Sequence, residues 1–234
     1  MTDPGSLATF LRVTWLVTRK DLTVEMRSRE ILYTTTFFAA SCVLVFAFSF
    51  VRDGRPLDDA AAGILWIAIA FAGTLALGRT FERERVNETL HALMLAPSDR
   101  PAVYAGKLAG ILLLLGAVEA VLVPLVAVLF QAPLFTHPGH LAVLLVFGTL
   151  GFASVGTLFA AMLIRARSRD VLLPVLLYPI IVPVIIAGVR GTAALIAPAD
   201  GGMAVARAWI GMLVFFDAVF VTLALWTFEA VMTE

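Results

Sequence analysis

The chain has 234 residues, of which 61% are hydrophobic and 15% charged, with 17 Lys and Arg matched by 17 Asp and Glu. A mean hydropathy of +0.97 excludes a soluble globular domain, and a formal charge of zero gives no electrostatic footprint for nucleic acid. The composition is that of an all-α polytopic membrane protein, with residues 1–234 forming one transmembrane domain. One cysteine, Cys42, lies inside an apolar run, which leaves no disulfide framework and no thiol metal cluster.

The first predicted element is a helix over 7–27. Leu7, Leu11, Trp15, Leu22 and Met26 share one face, and Phe10, Val13 and Val17 form a second apolar row. This pattern predicts a helix at the membrane interface, serving as an anchor or as a lever. The first residues are polar and no cleavage site follows the first apolar run, so no cleavable signal peptide is expected. A bilayer core about 30 Å thick needs about 20 apolar helical residues. Six stretches qualify, at roughly 31–51, 60–80, 104–130, 141–164, 171–189 and 208–228. None alternates polar and apolar residues as barrel strands would.

Basic residues set the orientation. Thirteen fall on one side, in the N-terminal segment, the second loop (Arg79 to Lys107) and the fourth loop (Arg165, Arg167, Arg169). Only Arg52, Arg55, Arg190 and Arg207 fall on the other. The positive-inside rule predicts that both termini and the second loop are cytoplasmic. That loop is also amphipathic: Phe81, Val86, Leu90, Leu93 and Pro97 follow helical spacing, with Glu82, Arg83, Glu84, Arg85 and Glu88 around them. It predicts a short helix with one apolar face, ended by Pro97, where a membrane protein meets a soluble partner.

No catalytic constellation is evident. Gly106 and Lys107 are followed by Leu108 and preceded at the required distance by Pro101, so a phosphate-binding GxxxxGK[ST] loop is absent. His137 and His140 flank Pro138 and Gly139, which predicts a solvated turn in place of a metal or heme site, since a third ligand is missing. Glu119 in the third span and Asp217 in the sixth, placed nearer its outer end, are the intramembrane acids. An ionised carboxylate at the membrane centre costs about 2.5 to 3.5 kcal/mol, so each either packs helices through hydrogen bonds or serves transport. Gly148, Gly151 and Gly156 predict a flat face on the fourth span for close helix approach. Pro174, Pro179 and Pro183 within the fifth span remove three amide donors and predict bends.

Three passages carry a family resemblance: FERERVNETLHALMLAP in the second loop, GTLGFASVGTLFAAMLIRARSRDVLLPVLLYPIIVPVIIAG across the fourth and fifth spans, and the C-terminal FFDAVFVTLALWTFEAV. With the N-terminal KDLTVEMRSREIL they resemble the heme exporter protein B family, the ABC-2 type permease subunits of the cytochrome c maturation transporter. The resemblance implies six helices and a coupling helix near Glu82 to Leu95 that docks on a separate ATPase subunit. Its motif positions are Phe81, Glu82, Leu90, Leu93, Leu95 and Pro97. Family members often have an acid followed by Gly ahead of the leucines, whereas here Asn87 and Glu88 precede Thr89. The implied partners are the ATPase with its ATP and Mg, a second copy of the chain, a heme-handling membrane subunit and a heme chaperone. The implied location is the bacterial inner membrane. Heme is then either a substrate that passes the subunit or the cargo of a chaperone released by ATP-driven movement. The alternative is an ABC-2 permease exporting a drug, lipid or polysaccharide. An intramembrane enzyme is disfavoured because the two carboxylates lie on distant helices.

Overall fold

The computed structural model describes residues 7–52, 55–56, 60–86, 100–163, 166, 168–196 and 201–231. Seven long helices make up the described chain: α1 (Leu7–Ser28), α2 (Glu30–Ser49), α3 (Ala61–Val86), α4 (Arg100–Leu129), α5 (Pro138–Met162), α6 (Arg169–Ile196) and α7 (Gly202–Val231). Those from α2 to α7 are the six that are long and apolar enough to cross a membrane. A two-residue antiparallel ladder, β1 (Val51–Arg52) with β2 (Arg55–Pro56), follows α2. A single 3-10 turn, Leu134–Thr136, precedes α5.

Local chemistry accounts for the helix ends. Between α1 and α2 the chain turns at Arg29 in the left-handed region (φ 53°). Glu25 caps the start of α2 by accepting from the Leu32 amide at 2.9 Å, which satisfies a donor that the helix leaves open. Pro138 occupies the first turn of α5, where its missing N–H costs nothing. Pro138 and Gly139 therefore open a helix, and the solvated turn expected there is not formed. The helix α6 continues through Pro174, Pro179 and Pro183 as one element, and α4 likewise carries Pro124.

The helices α3 and α5 are the most enclosed spans, while α2 and α7 show most of their apolar surface to the outside. The helices α5, α6 and α7 pack on one another, α3 packs against α2, α4 and α6, and α1 lies chiefly on α4. Glycine makes the centre possible, though not through a flat face. Large side chains enter the glycine positions instead. A Cβ at Gly148 of α5 would stand 2.1 Å from the Trp66 ring, and one at Gly188 of α6 would stand 2.4 Å from it. Leu77 of α3 fills the space at Gly156, and Phe152 of α5 fills that at Gly73. Trp66 is 2% exposed, and its Nε1 donates to Thr192 Oγ1 of α6 at 3.0 Å. One indole thus joins three spans by contact and by a hydrogen bond.

Alanine at Gly148 or Gly188 should lower stability by about 1–3 kcal/mol, the range for overpacking a rigid neighbour. The measurement is thermal unfolding of the detergent-solubilised chain. Alanine at Gly63 or Gly116, where nothing lies within 4 Å of an added Cβ, should be neutral or stabilise by about 0.5–1 kcal/mol.

Candidate functional site

The amphipathic segment joins α3 to α4, so its mechanical setting is defined by those two helix ends. The apolar run of α3 gives way to charged residues from Arg79, but the helix itself runs on to Val86. Phe81 and Glu82 therefore belong to the final turns of α3, where a separate helix was expected to begin. Leu90, Leu93, Leu95 and Pro97 lie outside the described residues.

The end of α3 is tied to α5 and α6. Leu77 packs at Gly156, and Arg169 Nη2, at the first residue of α6, donates to the Gly78 carbonyl at 3.0 Å. Arg169 Nε lies 3.4 Å from Asp170 Oδ1, while its Nη1 is buried without a hydrogen-bond partner among the described residues. Leaving such a donor unmet costs on the order of 1–3 kcal/mol.

The start of α4 is tied to α1. Thr14 Oγ1 donates to the Ala102 carbonyl at 3.2 Å, and Thr18 Oγ1 lies 3.1 Å from the Gly106 carbonyl. Both pairs keep the same sequence offset, so the helices run alongside each other in the same direction. Close approach requires Gly106, where a Cβ would stand 2.7 Å from Val17 Cβ. Lys107 is 3% exposed, and its Nζ meets Asp21 Oδ2 at 2.7 Å. Lys20 adds a second contact to Asp21 at 3.1 Å. The predicted apolar stripe of α1 faces away from this junction: Leu7, Leu11, Trp15 and Met26 are exposed. The polar edge of α1, with Thr14, Thr18 and Asp21, docks on α4 because it carries the groups that bond to carbonyls and to Lys107. Tyr104 extends the linkage, donating to the Ser154 carbonyl of α5 at 2.9 Å and lying 5.2 Å, ring to ring, from Phe228 of α7.

Sequence patterning had counted Lys107 among the loop charges, yet it lies two turns inside a helix. The available signal was Asp21, an acid set directly after Arg19 and Lys20. Neither Arg169 nor Tyr104 stood out from the sequence, since their partners are backbone carbonyls on distant helices.

The two intramembrane acids are buried, Glu119 at 8% and Asp217 at 4% exposure. Thr149 Oγ1 of α5 donates to Glu119 Oε1. Asp217 lies at the middle of α7. Neither of its carboxylate oxygens has a hydrogen-bond partner among the described residues, and a Cβ at Gly151 would stand 2.7 Å from Oδ1. Positions 149 and 151 are about 200° apart around a helix, so α5 separates the acids and they do not converge on one reacting centre. His137 and His140 have ring centroids 6.5 Å apart. No group of three His, Cys, Asp or Glu that could hold a metal ion occurs among the described residues.

Replacing Lys107 with Met should destabilise the chain by about 1–3 kcal/mol, because Asp21 keeps its charge beside a dry neighbour. Adding Asp21→Asn should recover part of the loss. A double-mutant cycle by thermal unfolding checks this, and additive losses would show that the pair is uncoupled.

Comparison with known proteins places the chain in a family. A family model described as CcmB protein matches residues 12–233. The heme exporter protein B of Haemophilus influenzae is 26% identical over 191 residues, covering 81% of this chain and 86% of that protein. The Paracoccus denitrificans protein of the same name is 31% identical over 164 residues, covering 70% and 74%. That of Rhodobacter capsulatus is 32% identical over 154 residues, covering 65% and 69%. With the family model spanning nearly its whole length, the chain belongs to the CcmB protein family.

Proposed function

We propose that the chain is the membrane permease subunit of an ABC transporter complex for cytochrome c biogenesis, with heme as the cargo of the complex. Its seat is the bacterial inner membrane, with both termini and segment 87–99 on the cytoplasmic side, as the thirteen-to-four division of basic residues supports. ATP hydrolysis belongs to a separate subunit, since this sequence carries no phosphate-binding loop of the GxxxxGK[ST] kind. The family match carries the reading, and it favours cytochrome c biogenesis over the alternative of a drug, lipid or polysaccharide exporter.

The geometry suggests how such a subunit works. A partner ATPase docking on Phe81, Glu82, Leu90, Leu93, Leu95 and Pro97 would pull on the adjoining ends of α3 and α4. The α3 end is bonded to α6 through Arg169, and the α4 end to α1 through Lys107 and to α5 through Tyr104. Closure of an ATPase dimer is thereby passed to several helices at once. Passage of heme between two copies and release of a heme-loaded chaperone from a neighbouring heme-handling subunit both begin with this step. The bends expected at Pro174, Pro179 and Pro183 make α6 the span best suited to change shape, because proline leaves carbonyls free of intrahelical bonds.

Leu90→Asp or Leu93→Asp should cut recovery of the ATPase in affinity purification by about tenfold or more, the scale of losing a buried anchor. Membrane insertion should be retained, and undiminished recovery of the ATPase would remove the docking assignment. Among the acids, Glu119→Leu should impair cytochrome c maturation more than Asp217→Leu, because Glu119 accepts from Thr149 and so bonds α4 to α5. Normal maturation in the first with loss in the second would reverse that ranking.

A further inference from the structure

A cleft of about 720 Å³ opens between α2, α3, α5 and α6. Arg79 and Arg169 line its mouth at the end of the bundle where α3 finishes and α6 begins, while Phe71 and Tyr178 line it at greater depth. From Arg79 to Phe71 is eight residues, about 12 Å at the helical rise of 1.5 Å per residue. From Arg169 to Tyr178 is a similar distance. One end of the cleft therefore lies at headgroup depth, and the other lies among hydrocarbon. Phe38 of α2 and Phe71 of α3, which meet edge to face at 6.4 Å, are both partly exposed, so the cleft opens sideways toward lipid.

The charges at the mouth favour an anion. Arg169 is 6% exposed, and its Nη1 lacks a partner among the described residues, although its other nitrogens meet Gly78 and Asp170. Arg79 is half-exposed, and among the described residues its acidic contact is Glu30 at 4.0 Å, beyond hydrogen-bond reach. Asp170 also lines the mouth, but its side chain is 84% exposed and turned to Arg169 Nε. Deeper in, polar atoms are few: Thr74 Oγ1 lies 3.4 Å from the Tyr178 hydroxyl and bonds its own helix at Ala70. A basic mouth above an aromatic, laterally open interior is complementary to an amphiphile with an anionic head and apolar tails.

We propose that this cleft binds an anionic phospholipid of the adjoining leaflet, its phosphate held by Arg169 and Arg79 and an acyl chain lying against Phe38 and Phe71. Arg79 lies two residues before Phe81 of the ATPase-docking segment, but the lipid site is read by lipid retention and holds whether or not that docking is correct. A bound lipid there would brace α3 against α6, the same pair that the Arg169 to Gly78 bond joins.

The test is native mass spectrometry of the full chain released from nanodiscs of mixed phosphatidylglycerol and phosphatidylcholine. Phosphatidylglycerol should be retained in preference, and Arg79→Gln should reduce that preference about fivefold, the effect of one basic residue on an anionic lipid. Arg169→Gln should do the same, but it also removes a helix-to-helix bond, so Arg79→Gln, confirmed as folded by thermal unfolding, is the deciding variant. Arg190→Gln, away from the cleft, is the control. A Phe71→Trp variant supplies an independent readout, since its fluorescence should be quenched by brominated-chain phosphatidylglycerol more than by the phosphatidylcholine equivalent. Equal retention of the two lipids, or an unchanged preference in Arg79→Gln, overturns the proposal. Displacement of phosphatidylglycerol by inorganic phosphate alone would make the site one for a free anion, and displacement by hemin would make it one for a porphyrin carboxylate; either overturns the lipid assignment.

Discussion

The indole of Trp66 lies where three spans meet, and the rest of the bundle is arranged around the room it needs. Within a bilayer, water does not drive helices together, so association depends on close contact and on hydrogen bonds between helices. Gly148 and Gly188 leave space for the ring on two neighbouring helices, and Thr192 takes up its only polar atom. Leu77 at Gly156 and Phe152 at Gly73 repeat the same device. Each glycine is matched to one large side chain, which sets the relative register of α3, α5 and α6 more strictly than a smooth small-residue face could.

The helix ends nearest the amphipathic segment use stronger interactions. Lys107 and Asp21 form an ion pair in which the lysine is almost fully enclosed. Two threonine hydroxyls of α1 meet carbonyls of α4, and Arg169 does the same to α3. Charge-assisted and carbonyl-directed bonds have directional requirements, so these ends move with their partners. The central contacts are mainly apolar and hold their register by the fit of large side chains into glycine positions. A bundle bonded at the ends of α3 and α4 and interlocked at its centre would pass a displacement of the proposed docking segment to several helices at once.

The arginines at the mouth of the lateral cleft belong to both parts of this picture. Arg169 braces α3 against α6 and still presents a donor unmet among the described residues. Its neighbour Arg79 stands where the apolar run of α3 gives way to charged residues. The proposed orientation and the proposed lipid site both call for positive charge at the membrane boundary.

Hydropathy alone determined the six spans and the all-α class, since a run of about 20 apolar residues has few alternatives to a membrane-spanning helix. The division of basic residues pointed to an orientation, and the passages around Phe81 to Pro97 and Leu172 to Pro183 carried the family resemblance that the family model bears out. Helix ends were less legible: α3 continues through Phe81 and Glu82 because charged residues are good helix formers beyond the membrane as well as within a loop. Periodicity found the apolar stripe of α1 but not the face that docks, because the docking face is defined by Lys107 and by backbone carbonyls far away in sequence. Asp217 was visible as a buried acid, yet its place beside Gly151, on the far side of α5 from Glu119, depended on how α5 and α7 cross. One-dimensional patterning records which residues avoid water; which of them meet one another is decided by helix register and crossing, and these arise only when side chains such as Trp66 find their glycines.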